Sequence, residues 1–499
     1  MNTQAQCLEN LLAFAKSHKL IEESDKIYCR NLIYDMLSLD APDSFPEPDQ
    51  GALARHASEI LAPLLKEHAG TPVLEELLDA KIMGVLTPRP SEVIREFKAN
   101  EKESPEKATS AFYEMSKANH YIQMDRIEKN LSWKTSTEYG DLEITVNLSK
   151  PEKDPRDIAA SRNLVQKGYP KCLLCMENEG FAGNLNHPAR QNLRLVPVEL
   201  AGETWMLQYS PYVYYNEHCI VLSPEHVPMK ISEKSFRRLL DFIERFPHYT
   251  IGSNSDIPVV GGSILSHDHF QGGRHVFPMA VAKSHSFFSH PAFPEAKISL
   301  LVWPLSVIRI TMPSKDRLVE LCVKILGDWI SYSDPEADVI ANVEGTRHNA
   351  ITPIARREED GTYTMDLVLR NNRASEEHPM GIFHPHQNLH HIKKENIGLI
   401  EVLGLAILPG RISQDMEAMA SFLSSGSAGG YDLSVHQEWL DGVKERRGIV
   451  PKEQASEIVK EEIGLVFRQV LNDAGVFKHS GIGKAQFAKF MGYCGFLQI

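Results

Sequence analysis

The sequence has no long hydrophobic run and no excess of positive charge. Among its 499 residues the longest strongly apolar stretch, 397–408, contains Glu401 and is too short to cross a bilayer. Its 53 Lys and Arg are outnumbered by 66 Asp and Glu, and this net charge of −13 argues against nucleic acid or an anionic membrane as a partner. A small phosphorylated ligand is still compatible, because a few local cations and backbone amides suffice to bind one phosphate.

The chain also lacks a disulfide framework and a recognisable export signal. Its seven cysteines are odd in number and scattered, a pattern that fits a reducing cytoplasm. Residues 1–10 contain neither a basic nor an apolar segment, so we expect no signal peptide. Hydrophobic residues at 42% and charged residues at 24% are typical of a folded globular chain. The length predicts two to four domains in a cytoplasmic protein.

Hydrophobic spacing changes twice along the chain. Turn-spaced apolar residues predict helices near the N-terminus, and alternation at Leu142, Ile144 and Val146 marks the change to strands. Helices are predicted again at 232–246, at 317–332 and from 412 onward. Further strands are predicted at 192–200, 205–208, 219–222, 298–302, 308–312, 338–343 and 363–370. Strand clusters mixed with a few helices indicate an α+β fold rather than a regular βαβ alternation.

The first motif with chemical meaning is Cys172-Leu173-Leu174-Cys175. Two residues between thiols let both sulfurs face one tetrahedral ion, but the same spacing occurs in redox motifs at the start of a helix. The polar and glycine-containing residues that follow favour an irregular knuckle. A metal site would need two more ligands from elsewhere in the chain.

The second motif is a His-x-His pair enclosed by glycines in the segment 261–273. In an extended segment His267, His269 and Gln271 point to one face, so two imidazoles and an amide line one cleft. The flanking glycines let the backbone approach a phosphate closely. An isolated His-x-His is usually a loop with surface histidines, but the paired glycines and the nearby Asn254 favour a functional site.

Two further histidine motifs accompany this pair. His226 ends a Ser-Pro-Glu-His sequence directly after the predicted strand 219–222, a position where histidine is often only a polar cap. A second His-x-His, His384-Pro385-His386, follows a second group of predicted strands. The repetition favours a duplicated half over chance.

Cys-x-x-Cys, Ser-Pro-x-His and His-x-His-x-Gln, in this order, resemble the galactose-1-phosphate uridylyltransferases, a nucleotidyl-transferring branch of the histidine triad superfamily. The likeness covers 147–273 well and 348–410 loosely, and the helical additions resemble the divergent second class found in some bacteria. It implies an α+β fold with two duplicated, histidine-triad-like antiparallel-sheet halves between helical regions. The four parts would be 1–135 (helical), 136–295 (first half, with the zinc site and the nucleophile), 296–411 (second half) and 412–499 (helical).

The resemblance implies a role for each motif residue. The four ligands of a closed structural zinc site would be Cys172, Cys175, His226 and His267, a chemically sound set. His269 would be the nucleophile, since a neutral imidazole attacks at pH 7 and leaves readily from a phosphoramidate. Gln271 would donate a hydrogen bond to a phosphoryl oxygen, at a position where histidine triad hydrolases usually carry a histidine.

Other positions correspond to phosphate-contacting residues of the family. The expected substrate-binding residues are Asn254, Gly262, Ser263, Ser266, Lys150, Lys153 and Arg156. The three basic residues among them could equally be ordinary solvent-exposed charges without a role in binding. A second metal, present in some members, would use His348, His384 and His386. The family's hexose contacts, a Lys, a Tyr, a Glu and a Gln, are expected within 396–410, where the pattern does not assign them.

The implied reaction is ping-pong transfer of a uridylyl group from UDP-glucose to galactose 1-phosphate through a uridylyl-histidine. The products would be UDP-galactose and glucose 1-phosphate, and the enzyme a homodimer with no nucleic-acid or membrane partner. One alternative is a related nucleotide phosphorylase or adenylyltransferase with the same His-x-His-x-Gln site, which a panel of nucleotide donors distinguishes. Another is a non-catalytic zinc-stabilised binding protein, which any turnover dependent on His269 excludes.

Overall fold

The computed structural model describes residues 3–49, 54–149, 168–262 and 264–499. These residues form two compact units. The first unit draws on Met1–Lys129 and Ser149–Val227, and the second on Asn130–Leu148 and Pro228–Ile499. The division into four parts made from the sequence stays a prediction.

The first unit has a layer of helices that begin with expected signals. The helices are Thr3–Ser17, Lys26–Leu37, Ala57–His68, Pro72–Leu86, Pro90–Glu101, Pro105–Ala118 and Met124–Ile127. Proline stands at the first position of three of them, Pro72, Pro90 and Pro105, where its missing N–H costs no hydrogen bond. The hydroxyls of Thr71 and Ser104 accept hydrogen bonds from backbone amides in the first turns of the helices that begin at Pro72 and Pro105. These amides would otherwise have no partner within the helix. The helices predicted in this part of the chain are thereby confirmed.

The first unit also has three antiparallel strands. Glu203–Tyr209 lies between Val196–Leu200 and Cys219–Leu222. The first hairpin turns through Ala201 and Gly202, both with positive φ, which is the backbone of a type I′ turn.

The second unit contains a broad sheet in which every pairing described within the unit is antiparallel. From one edge its strands are Leu497–Gln498, Ser284–Ser289, Lys297–Leu301, Val307–Met312, Tyr363–Asn371, Asn349–Arg357, Thr250–Gly252 and His269–Gly273. Helices Glu233–Arg245 and Lys315–Ser331 pack on this sheet. Both helices match the predicted ones, and Phe236, Leu239 and Ile243 are buried as their spacing required.

A smaller sheet completes the second unit. Leu131–Thr137 pairs antiparallel with Gly140–Asn147, which pairs in parallel with Leu405–Pro409. The other helices of the second unit are Leu399–Val402, Arg411–Ser425, Gln437–Arg447, Lys452–Ala474 and Gly481–Tyr493. Helices and antiparallel sheets in one chain confirm the predicted α+β class. Within the described residues, no helix combines the length and the apolar character that crossing a membrane requires.

One predicted strand is wrong. The stretch 338–343 has only the two-residue strand Asn342–Val343, paired with Thr346–Arg347. The long strand is Asn349–Arg357, which the sequence hides because Pro353 argues against a central strand. The structure accommodates Pro353 since its carbonyl still accepts a hydrogen bond from the Ser253 amide, at 3.0 Å.

Candidate active site

His269 is the first residue of the strand His269–Gly273 and is 5% exposed. Gln271, two residues on, lies opposite Gly252 of the neighbouring strand. Because side chains alternate along a strand, His269 and Gln271 project from the same face of the sheet. The structure thus brings these two predicted residues together, as their spacing indicated.

The tautomer of His269 is fixed by the backbone of His267. Its Nδ1 lies 2.8 Å from the carbonyl oxygen of His267. A carbonyl oxygen only accepts, so Nδ1–H donates this hydrogen bond and Nε2 carries the lone pair. Burial lowers the pKa of His269 to about 4, and the imidazole is therefore neutral at pH 7. A neutral, oriented imidazole nitrogen is the form that acts as a nucleophile.

The four predicted metal ligands form a cluster. The ligand atoms of Cys172, Cys175, His226 and His267 all lie within 4.8 Å of one another. The two sulfurs are 3.6 Å apart, and Cys175 Sγ is 3.3 Å from His226 Nδ1. Two thiols and two imidazoles around one point fit a tetrahedral ion. The chain therefore holds a Cys₂His₂ set able to bind a metal.

A buried asparagine shapes the loop that carries the two cysteines. Asn178 Nδ2 donates to the carbonyl oxygens of Cys172 and Cys175, at 2.9 and 2.8 Å. Its Oδ1 lies 2.6 Å from Nε2 of His187. Burial raises the pKa of the Cys175 thiol to about 11, so without a cation this sulfur is protonated at pH 7. The knuckle expected after the second cysteine is the short 3₁₀ turn Met176–Asn178.

Asn254 connects the glycine-rich loop with a distant part of the chain. It is 3% exposed, and its Oδ1 accepts a hydrogen bond from the Leu399 amide at 2.8 Å. That bond turns Nδ2 towards Gly262, where a Cβ would lie only 2.6 Å from it. Gly262 is therefore a position at which any side chain would displace the amide of Asn254.

The sequence reasoning missed a buried charged group near Leu399. Lys393 Nζ donates to Glu401 Oε1 at 2.9 Å, and both side chains are buried. Arg370, 1% exposed, donates through Nη2 to the carbonyl oxygen of Ile397 at 2.9 Å. Burial lowers the pKa of Arg370 to about 10, while the charge of Glu401 opposes that shift. The available signal was Glu401, an acid within an otherwise apolar run.

The remaining predicted substrate-binding residues are less informative. Ser266 is exposed in the loop before His267. Ser263, Lys150, Lys153 and Arg156 lie outside the described residues.

The histidines expected to hold a second metal do not converge. Nδ1 of His348 is 2.8 Å from Oδ1 of Asn372. His384 Nδ1 donates to its neighbour Pro385, and His386 Nε2 donates to the Ile382 carbonyl, each at 3.2 Å. Within the described ranges, the Cys₂His₂ set is the one group of three or more such ligands that comes together. Each of the three rings is engaged locally instead, so this second-metal expectation has no support here.

Comparisons with known proteins match both parts of the chain to one family. Residues 20–228 match the galactose-1-phosphate uridyl transferase N-terminal domain, and residues 242–441 match the C-terminal domain of the same family. A solved structure, yeast Ap4A phosphorylase, overlaps 63% of this chain and 86% of its own at 13% identity, with a TM-score of 0.32. That overlap is too weak to carry an argument about this chain.

Curated relatives match almost from end to end. A galactose-1-phosphate uridylyltransferase of Caldanaerobacter subterraneus is 51% identical over 99% of this chain and 98% of its own. Those of Bacillus subtilis and Clostridium acetobutylicum are each 48% identical, over 98% and 97% of this chain and 97% and 98% of their own. The chain belongs to the galactose-1-phosphate uridylyltransferase family.

Proposed function

We propose that this protein transfers a uridylyl group from UDP-glucose to galactose 1-phosphate, in two steps through a covalent uridylyl-His269. The observation that carries the proposal is the pairing of a buried His269, with its Nε2 lone pair fixed, and Gln271 on one sheet face of a chain from this family. The other candidate activity, a nucleotide phosphorylase or adenylyltransferase, has no observation of its own in its favour.

In the first step His269 Nε2 attacks the α-phosphorus of UDP-glucose. An N–P bond forms, the bond from phosphorus to the bridging oxygen breaks, and glucose 1-phosphate leaves with the electron pair. The imidazole becomes a cation, and its Nδ1–H keeps its hydrogen bond to the His267 carbonyl, which stabilises that charge. No proton has to move, because the leaving group is already a stable anion.

In the second step a phosphate oxygen of galactose 1-phosphate attacks the same phosphorus. The N–P bond breaks, UDP-galactose forms, and His269 returns to its neutral state with the same tautomer. The Gln271 amide donates a hydrogen bond to a phosphoryl oxygen as negative charge builds up there. A glutamine does not titrate, so it offers no acid or base that would assist water as an acceptor.

The resident metal of the Cys₂His₂ set would be zinc. Zinc supplies no chemistry to the reacting phosphorus in this proposal; bound by Cys172, Cys175, His226 and His267, it would supply folding free energy. The donor set fits this ion, because two thiolates and two imidazoles complete a closed tetrahedral site.

The phosphate oxygens would be bound by Asn254, by the backbone of the Gly262 to Ser266 loop, and by Lys150, Lys153 and Arg156. Asn254 suits this role because its Oδ1 is already engaged by Leu399. Its Nδ2 is then the group left to donate. We further propose that the enzyme is a homodimer and works in the cytoplasm, where its sugar phosphates occur.

Isotope exchange tests the covalent step. With labelled UDP-glucose and no acceptor, the protein should acquire uridylyl in an acid-labile, alkali-stable bond. In a separate assay, labelled glucose 1-phosphate should exchange into UDP-glucose in the absence of galactose 1-phosphate. His269→Gly should abolish both, whereas His68→Gln, an exposed histidine elsewhere, should leave both unchanged.

The zinc content of His269→Gly distinguishes a lost nucleophile from a collapsed site. This variant should retain its zinc. Undiminished exchange in His269→Gly would mean that another residue is the nucleophile. A donor panel of UDP-glucose, ADP-glucose and diadenosine polyphosphates tests the substrate class. Preference for an adenine nucleotide would replace the proposed reaction with the phosphorylase or adenylyltransferase.

A further inference from the structure

A large cleft in the second unit has no part in the proposed reaction. Its volume is about 1230 Å³, above the roughly 300–1,000 Å³ of ordinary small-molecule pockets. It lies between the 3₁₀ turn Gln387–Leu389, the start of helix Arg411–Ser425 and helix Gln437–Arg447. The cleft therefore has room for a ligand of one or two rings.

Aromatic side chains form the apolar part of this cleft. The Trp439 ring lies with its centroid 5.1 Å from that of His391, at an angle of 43°. Tyr431 is 42% exposed and Val435 is 66% exposed, although both are large and apolar. These side chains present flat apolar surface to anything that enters the cleft.

A hydrogen-bonded relay fixes the His391 ring. Buried Asp415 lies 3.3 Å from Nε2 of His436, and Nδ1 of His436 lies 2.9 Å from Nδ1 of His391. Burial lowers the pKa of His436, so its ring is neutral at pH 7. Because a carboxylate only accepts, the ring donates to Asp415 from Nε2 and accepts at Nδ1 from His391. The lone pair of His391 therefore sits on Nε2, which is buried and has no partner among the described residues. The relay therefore holds the His391 ring in place beside Trp439.

The charges around the cleft cancel. Arg411 pairs with Asp415 at 3.3 Å, and Arg446 pairs with Glu462 at 2.7 Å. Glu462 lies outside the lining, whose own charged side chains are two arginines, Arg411 and Arg446, and two acids, Asp415 and Glu438. The lining has no excess of cationic donors, so it does not favour a phosphate. Carboxylates and guanidinium groups in ion pairs, with the apolar surface of an aromatic ring beside them, suit an uncharged ligand that is rich in hydroxyls.

We propose that this cleft is a second ligand site, separate from the His269 site, and that it binds an uncharged pyranose sugar. The apolar C–H face of the sugar ring packs on Trp439, and its hydroxyls bond to the paired charged groups. The inference does not depend on the proposed reaction, because it requires neither UDP-glucose nor turnover.

Calorimetric titration of the full chain with galactose tests the proposal. We expect saturable binding in the range of about 1 mM, and no binding of mannitol, which has the hydroxyls but no ring. Trp439→Ala should weaken binding at least tenfold by removing the ring surface. His391→Phe keeps an aromatic ring but breaks the hydrogen bond to His436 that orients the ring beside Trp439, so it should also weaken binding. Tyr28→Ala, an exposed aromatic in the first unit, should bind as the parent does.

Three outcomes would overturn the proposal. The first is an absence of saturable galactose binding, or equal binding of mannitol. The second is displacement of galactose by UDP-glucose, which would assign the sugar to the site of the proposed reaction. The third is that Trp439→Ala changes the sedimentation of the protein, which would mean that a second copy of the chain covers the cleft. Unchanged thermal unfolding of the variants rules out misfolding as the cause of a loss.

Discussion

His120 provides a sharp test of the electrostatics of the first unit. The residue is 6% exposed, and its two ring nitrogens lie 2.7 Å from Asp79 Oδ2 and 3.1 Å from Asp125 Oδ1. Burial alone would lower the pKa of His120, but the charges and hydrogen bonds of the two carboxylates outweigh it and raise the pKa to about 10. His120 is therefore an imidazolium at neutral pH.

The sign of the pH dependence follows from the raised pKa. Unfolded histidine titrates near pH 6.5, so the stabilisation is complete below that value and is lost as the pH rises towards 10. Linkage over this window gives a loss of about 3 kcal/mol between pH 6.5 and pH 9. Asp125 adds no slope there, because hydrogen bonding and charge from His120 outweigh its burial and hold its pKa at about 2.

Urea unfolding at pH 6.5 and pH 9 measures this loss. The wild-type free energy of unfolding should fall between the two values, and His120→Gln should lack that part of the fall. At pH 6.5 the variant should be less stable by about 3–5 kcal/mol, because it leaves a buried carboxylate without its cation. His68→Gln, an exposed histidine of the same unit, should keep the wild-type slope. Equal slopes for wild type and His120→Gln would refute the charged-histidine assignment.

Three further predictions concern the second unit and the metal set. Cys175→Ser should lose about one zinc per chain together with thermal stability, whereas Cys7→Ser should keep both; full metal retention in Cys175→Ser and in His226→Ala would remove the metal site. Gln271→Ala should slow uridylyl transfer by roughly 10²-fold or more, because the Gln271 amide is proposed to stabilise the phosphoryl oxygen. Gln271→His should preserve labelling of the protein better than turnover. A normal rate for Gln271→Ala would leave this glutamine without a role. Gly262→Ala should reduce kcat/KM, because its methyl group would lie 2.6 Å from Asn254 Nδ2, whereas Gly70→Ala, with open space around it, should be silent; an unaffected Gly262→Ala would separate Asn254 from substrate binding.

Local patterns were sufficient for the motif residues. The spacing of His269 and Gln271 specified a common face because side chains alternate in any strand, whatever the strand pairs with. His267 lies in a bend before the strand, so the expected common face is not shown for it. Helices 232–246 and 317–332 were placed to within two residues, since their apolar stripes are long and regular. The Cys₂His₂ cluster followed from the family resemblance and the order of three motifs.

Contacts between distant residues were outside the reach of such patterns. The bond from Leu399 to Asn254 joins residues 145 apart in sequence, and neither residue type announces the other. Arg370 reads as an ordinary charged end of a strand, yet it is fully buried. The strand Asn349–Arg357 was missed because Pro353 is disfavoured in central strands, although its carbonyl still accepts a hydrogen bond from the Ser253 amide.

The hydrogen bond from His269 to the carbonyl of His267 has a consequence for how this site can evolve. Its acceptor is backbone, so replacing the side chain at position 267 does not delete it. The orientation of the proposed nucleophilic nitrogen therefore does not depend on which side chain stands at position 267, although that side chain is a proposed metal ligand. A descendant that exchanged its cysteines and histidines for a metal-free set of hydrogen bonds would keep the same tautomer at His269. Drift in the ligand set is then compatible with an unchanged orientation of the proposed nucleophile.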